Sequence, residues 1–306
     1  MMKIKIPIVI IVVISLLISF SGCGEDDEEV VDSQEIRICT KNTEEQEILA
    51  RLASILITER TDHEVTIVKE DNVTSKSLYE DLKAGKIDLY FDYAGSIFLN
   101  ALEKPAEEME YAVVLVQLQT AMLEEGIYVS DSIGYDGGMT LYITPELRDE
   151  LGLDKSSGIS SLEKLSPDLV IGMEESFYQR DKGYKALCDH YDLKFQEAKV
   201  YSEEEGFYAL RRGDIDIMVG SRTSVYNNMY NLYLFKDDKR FFTPETACYV
   251  GNDEFLLAYP EVKTVMDTFN GLLTSGTVSI MIRNIYLEGR DMDTYLRDFL
   301  RARNLL

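Results

Sequence analysis

Histidine is nearly missing from this chain of 306 residues: His63 and His190 are the only two. His63 lies in the loop segment Thr61-Asp62-His63 and His190 at an expected helix end. Neither belongs to a HExxH or other paired-ligand spacing, so no metal site is expected. GxSxG elbows and Walker-type phosphate loops are also lacking. The carboxylates are plentiful but fall mostly on expected helix surfaces, where solvation is their ordinary role. An enzyme is therefore not expected, nor a cofactor. Cysteine is scarce too, with Cys23, Cys39, Cys188 and Cys248 forming no CxxC pair. The three beyond Cys23 are odd in number, so at least one is unpaired. Cys39 ends the apolar stretch Ile36-Arg37-Ile38-Cys39, the setting of an inert buried thiol; a Cys39–Cys248 bridge is the alternative. Positive charge is short as well, with 31 Lys and Arg against 55 Asp and Glu and a net charge of −24. Nothing here would release counterions from phosphates, which excludes nucleic acid as a partner. The acidity suits solubility and identifies no ligand.

What is present begins with a leader. Lys3 and Lys5 precede an almost unbroken apolar run over 6–20, closed by Phe20-Ser21-Gly22-Cys23. Small residues before a cysteine predict a lipoprotein signal peptide over 1–22, with a mature chain starting at lipid-bearing Cys23. An uncleaved anchor or a plain secretory signal are the alternatives. All three readings put the folded part outside the cytoplasm. Residues 23–34 then form an acidic tether, Gly24-Glu25-Asp26-Asp27-Glu28-Glu29 being too charged to bury.

Two stretches repeat each other. Residues 79–96 read Tyr-Glu-Asp-Leu-Lys-Ala-Gly-Lys-Ile-Asp-Leu and then Tyr-Phe-Asp-Tyr-Ala-Gly-Ser; residues 207–224 read Phe-Tyr-Ala-Leu-Arg-Arg-Gly-Asp-Ile-Asp-Ile and then Met-Val-Gly-Ser-Arg-Thr-Ser. Each is an amphipathic helix stopped by a glycine (Gly85, Gly213), then an apolar strand entered through Ile-Asp (87–88, 215–216). Ligands of open α/β sheets sit at the carboxyl ends of strands. The repeat thus delivers Tyr93 and Ser221, each five residues past its aspartate, to equivalent edges of two lobes.

The rest of the chain alternates in the same way. A strand over 35–40 leads to a helix over 44–60, capped by Asn42 or Thr43 with Glu44, Glu45 and Glu47 in its first turn. A strand over 65–68 precedes the first repeat, and a long helix near 106–125 precedes a strand near 127–129. The second lobe starts near Gly137-Gly138 with a strand over 139–144 and a helix opened by Pro145. A strand over 169–173, a helix near 181–190, strand residues Val200-Tyr201, the second repeat and a strand over 232–235 follow. Three helical segments, over 260–273, 278–287 and 291–303, end the chain. This alternation predicts α/β lobes with mainly parallel sheets flanked by helices. Connections near 131–138 and 241–250 would form a two-strand hinge. Lobe 1 is expected to comprise 35–136 and 246–306, and lobe 2 137–245.

Two loops favour binding. Lys41-Asn42-Thr43-Glu44-Glu45-Gln46 lies where a strand meets a helix N-terminus, whose free N–H groups suit an anion or polar group. Ordinary capping is the bland alternative. Phe177-Tyr178-Gln179-Arg180-Asp181-Lys182-Gly183 places Arg180 just past a strand end, where it could grip a carboxylate bidentately or simply form a surface ion pair.

With these motifs the chain resembles the substrate-binding components of ABC importers for glycine betaine, choline and carnitine. The resemblance spans about 35–306. It rests on Lys-Asn-x-x-Glu-Gln at 41–46, Gly-Lys-Ile-Asp-Leu-Tyr-x-x-Tyr-x-Gly at 85–95, Phe-x-x-Arg-x-x-Gly at 177–183, Ala-Leu-Arg-Arg-Gly-Asp-Ile-Asp at 209–216 and Asp-Asp-Lys-Arg-Phe-Phe-x-Pro at 237–244. It implies a two-lobed periplasmic-binding-protein fold closing over its ligand without chemistry, serving an ABC permease with a cytoplasmic ATPase and acting as a monomer. The same fold as a ligand sensor or scavenger is the alternative.

The resemblance also implies a site. Family members hold a quaternary ammonium in a box of tyrosine rings. Tyr93 matches one of them, and Ser96 replaces a neighbouring threonine. Lys41, Gln46 and Arg180 match the polar, carboxylate-gripping part. Met139 stands where a tyrosine is expected, although a shifted register would offer Tyr142; Ser221 and Glu245 occupy the other two ring positions. Each lost ring removes roughly 0.5–2 kcal/mol of cation attraction. The expectation is a small zwitterion with Arg180 and Lys41 on its carboxylate and Glu245 on an N–H-bearing cation. The alternative has Glu245 in solvent or paired with Arg222.

Overall fold

A computed structural model describes residues 34–104 and 111–306. The leader, Cys23 and the acidic run lie outside the described residues, as do residues 106–110 of the expected long helix. The first part runs β1 (Glu35–Cys39), α1 (Glu44–Arg60), β2 (Glu64–Val68), α2 (Ser75–Lys83), β3 (Leu89–Tyr93), α3 (Ala94–Asn100), α4 (Tyr111–Leu123) and β4 (Ile127–Val129). The second runs β5 (Met139–Ile143), α5 (Pro145–Glu150), β6 (Val170–Met173), α6 (Glu175–Gln179), α7 (Tyr184–Tyr191), β7 (Glu197–Val200), α8 (Glu203–Arg212), β8 (Ile217–Ser221), α9 (Val225–Tyr230) and β9 (Tyr233–Leu234). The chain closes with β10 (Ala247–Asn252), α10 (Asp253–Ala258), α11 (Pro260–Met266), α12 (Ser275–Ile282) and α13 (Met292–Ala302).

Among the described residues two five-stranded sheets result, ordered β2-β1-β3-β10-β4 and β7-β6-β8-β5-β9. Each is flanked by helices, as the α/β alternation predicts. Parallel pairing makes up half of each sheet: β1 with β2 and β3, and β6 with β7 and β8. The other half is antiparallel, because β10 and β5 enter their sheets from the crossing segments and so run opposite to their neighbours.

The repeated Ile-Asp has one structural job in both sheets. Asp88 accepts a hydrogen bond from the Arg37 amide at 2.8 Å, and Asp216 accepts one from the Val170 amide at 2.7 Å. Each aspartate thereby satisfies an N–H near the start of the neighbouring parallel strand, one residue before that strand's ladder with β3 or β8 begins. The helices before them stop as read: Gly85 and Gly213 take φ of +66° and +76°, a left-handed conformation that costs glycine little. Capping also follows the sequence. Thr43 accepts from the Gln46 amide at the start of α1, and Ser202 forms a capping box with Glu205 on α8.

The hydrophobic cores bury the inward faces of these elements. Ile36, Ile38, Leu49, Leu52 and Leu56 pack with Phe91, Tyr249 and Phe269 on one face of the first sheet. Leu141, Ile171, Met173, Phe177 and Ile217 form the centre of the second. Among the described residues no helix is long and apolar enough to cross a membrane.

Several boundaries differ from expectation. The helix near 181–190 starts only at Tyr184, because the N-cap Gly183 holds a non-helical backbone with φ of −110° and ψ of −139°. A short α6 precedes it, so Arg180 follows a helix rather than a strand. The expected helix over 260–273 ends at Met266 in a single 3₁₀ turn. Residues 247–250, expected within a connection, belong to β10. Cys39 and Cys248 are free thiols on strands separated by β3. The bridge between them is therefore absent, and burial pushes the Cys39 thiol up to about 11.

Candidate functional site

The chain passes between the sheets twice, and the two passages pair. Asp136 bridges Thr246 in antiparallel fashion. The Ala247 amide donates to the Tyr135 carbonyl at 3.0 Å, and the Gly137 amide to the Glu245 carbonyl at 2.9 Å. The partly buried Asp136 carboxylate steadies the crossing. It accepts from the Gly138 and Glu245 amides at 2.9 Å each and faces Arg222 at 3.5 Å. Burial still raises its pKa, against the pull of Arg222 and the two amides.

Beside this crossing lies a cavity of about 410 Å³, lined by Tyr93, Ser96, Leu99, Gly137, Gly138, Met139, Arg180, Lys182, Phe241, Phe242, Thr243 and Glu245. Five of the eight expected site residues meet here: Tyr93, Ser96, Met139, Arg180 and Glu245. The carboxyl end of β3 supplies Tyr93, and Ser96 follows in the first turn of α3. Two glycines allow the close packing. A Cβ on Gly95 would stand 2.3 Å from the Pro244 carbonyl oxygen, and one on Gly137 2.6 Å from the Tyr93 ring.

Glu245 faces Ser96, accepting from its amide and from its hydroxyl at 3.0 Å each. That amide is one of the orphan donors of the α3 N-terminus, so the carboxylate caps the helix. A helix N-terminus favours an anion, yet desolvation wins and pushes the Glu245 pKa up to about 8, with Asp92 and Asp136 adding repulsion. Across the cavity, Arg180 donates to the Lys182 carbonyl at 3.2 Å and stacks 4.7 Å from the Phe177 ring centroid. Its Nη2 lies 3.3 Å from the Met139 sulfur. Desolvation lowers the Arg180 pKa, and the charge of Glu245 opposes that shift.

The other three expected residues do not line this cavity. Lys41 is engaged by Asp92 at 2.5 Å and by Ser75 at 2.8 Å. Gln46 is buried in α1, its amide atoms making no well-formed hydrogen bond. Ser221 turns its hydroxyl to the Gly137 carbonyl and Thr223. Its register partner on β5 is Met139, which takes the cavity position on that edge. Tyr142 is fully buried against Phe207 and donates to the Ser221 carbonyl at 2.5 Å.

Phe241 and Phe242 carry lining surface that the residue-by-residue reading did not single out. Asp237 arranges them, accepting from their amides at 3.0 and 2.8 Å. The signal lay in the Asp-Asp-Lys-Arg-Phe-Phe-x-Pro motif, whose first aspartate is buried. The cavity therefore offers one phenol ring, two phenylalanines, a guanidinium, the Lys182 ammonium and a carboxylate, a set suited to binding a small charged solute.

Two α/β sheets joined by a paired double crossing beside such a cavity define the two-lobed solute-binding proteins. A solved structure described as a glycine betaine/carnitine/choline ABC transporter shares the fold with a TM-score of 0.82 and 22% identity, over 89% of this chain and 99% of that one. Apo YehZ from Escherichia coli shares it at 0.74 and 14% identity, over 90% and 100%. Residues 34–302 match the family of substrate-binding domains of ABC-type glycine betaine transport systems, and the chain belongs to that family. It is a solute-binding protein, not an enzyme. Among its relatives is the carnitine transport binding protein OpuCC of Listeria monocytogenes, 27% identical over 84% of this chain and 81% of that protein. A glycine-betaine-binding protein of Pseudomonas aeruginosa is 21% identical over 90% of each.

Proposed function

We propose that this chain is an extracytoplasmic solute-binding protein of an ABC importer, held at the membrane by lipid on Cys23, that captures a small quaternary ammonium or zwitterionic osmolyte in the cavity beside the crossing. Residues 35–136 with 246–306 form one lobe and 137–245 the other, closing about the segments around Asp136 and Thr246. The observation that carries this reading is the convergence of Tyr93, Arg180 and Glu245 on one cavity. Tyr93 offers a ring face to a cation, and Arg180 suits a carboxylate. A permease and its ATPase complete the importer, and the binding protein works as a monomer.

A second reading, a solute whose cation carries N–H groups, is favoured by Glu245. A carboxylate with a raised pKa is under-compensated, and an N–H cation would both neutralise it and donate to its free lone pairs. A fully methylated head can do only the first. A thermal-shift screen with choline, glycine betaine, carnitine and amino acids separates the readings. A ligand at 100 times its Kd stabilises by about 2.7 kcal/mol. Stabilisation by the methylated amines supports the first reading, by primary or secondary amines the second, and by neither class neither reading.

A further inference from the structure

Glu45 lies outside the cavity lining, in the first turn of α1, and is only 8% exposed. Its Oε1 accepts the hydroxyl protons of two tyrosines, Tyr93 and Tyr135, the latter at 2.5 Å. Tyr93 ends β3 and lines the cavity; Tyr135 stands on the first crossing segment. One carboxylate oxygen thus ties the ring at the candidate site to the connection between the two sheets. Gly137, two residues beyond Tyr135, packs against the same ring.

We propose that Glu45 is a positioning residue for solute capture: it fixes the Tyr93 ring against the crossing and makes that ring a stronger partner for a cation. This rests on the reading of the cavity as a cation site. A phenol donating to a carboxylate forms a charge-assisted bond. Its oxygen gains electron density and passes it to the ring, on whose negative face cation attraction depends. Burial, followed by the charge of Glu45, keeps both hydroxyls protonated, raising Tyr93 and Tyr135 well above the ordinary range. Lys41 Nζ lies 5.9 Å from the Tyr93 ring centroid, but Asp92 neutralises it.

The test uses two ligands of nearly one shape, choline and 3,3-dimethylbutan-1-ol, in which carbon replaces the charged nitrogen. Their Kd values are measured on the wild-type chain, Glu45→Gln and Tyr135→Phe. Glu45→Gln should weaken choline by about threefold to tenfold and leave the neutral alcohol within about twofold, the scale of a partial cation–π loss. Tyr135→Phe, which keeps the Tyr93 bond, should retain the preference for charge. Equal weakening of both ligands by Glu45→Gln would make Glu45 a structural residue only and overturn the proposal. Without ligand, the ultraviolet difference between the wild-type chain and Tyr93→Phe should show a red-shifted phenol band that vanishes in the Glu45→Gln background; its persistence there would also overturn the proposal. Failure of choline to bind the wild-type chain rejects the quaternary-ammonium reading of the cavity instead, and the ultraviolet band then decides the link between ring and carboxylate.

Discussion

Glu245 accepts both the amide and the hydroxyl of Ser96, three residues beyond the ring of Tyr93, and so caps a helix and lines the cavity with one carboxylate. These roles pull against each other. The cap wants a fixed anion, while burial favours the neutral acid.

Ligand affinity should therefore depend on pH through Glu245. Its pKa of about 8 leaves much of it protonated at neutral pH. A cationic solute favours the carboxylate, so binding should tighten as pH rises from 6 to 9 and should release protons below pH 8. Calorimetry in two buffers of different ionisation enthalpy measures that release. Glu245→Gln should abolish both effects, and a pH-independent wild-type affinity would contradict the assignment.

The same shift fixes a sign for stability. The folded-state pKa of Glu245 is raised above its unfolded value near 4.5, so its contribution is fully present below about pH 4.5 and is lost as pH rises through about 8. Glu245→Gln should accordingly gain melting temperature relative to the ligand-free wild type as pH goes from 5 to 8. Melting curves across that window would refute the account if the difference stayed constant.

The repeated aspartates make an internal comparison. Asp216→Ala should cost about 1 kcal/mol, the loss of a part-buried hydrogen bond to the Val170 N–H. Asp88→Ala should cost more, because the Arg37 guanidinium, which donates to Asp88 at 2.8 and 3.0 Å, loses its partner as well. Urea unfolding of the two variants ranks them directly.

Gly95→Ala and Gly137→Ala should fail differently. The first drives a methyl into the Pro244 backbone, which cannot swing away, and overpacking of this kind costs about 1–3 kcal/mol. The second meets the Tyr93 ring, a side chain that can tilt. It should lose affinity well beyond its loss of stability, which paired titration and melting measurements would show.

The start of α1 and the glycine stops were legible in the sequence because each rests on local chemistry, a capping hydroxyl or a positive φ; the Ile-Asp strand entries were legible only as a repeat, since the amides they satisfy lie 51 and 46 positions away. Parallel and antiparallel partners were less legible, since β10 gains its direction only from the second crossing, far along the chain. Of the cavity-lining residues, Tyr93 and Arg180 could be reached from the repeat and the loop after 177, whereas Ser96 and Glu245 were reached only through the family resemblance. Lys41 could not be placed, because its partner Asp92 lies 51 positions away and claims it through a tertiary contact. The choice between Met139 and Tyr142 turned on strand register. Met139 pairs with Ser221 at the cavity edge, while Tyr142 sits three residues deeper, against Phe207.

Calorimetric titration of the wild-type chain and of Tyr93→Ala, Arg180→Ala and Glu245→Gln with choline, glycine betaine and carnitine tests the central claim most directly. The account predicts saturable one-to-one binding of at least one of these solutes. Tyr93→Ala should weaken every such solute, and Arg180→Ala chiefly those with a carboxylate. Binding that is unchanged in all three variants would place the solute elsewhere and contradict the account.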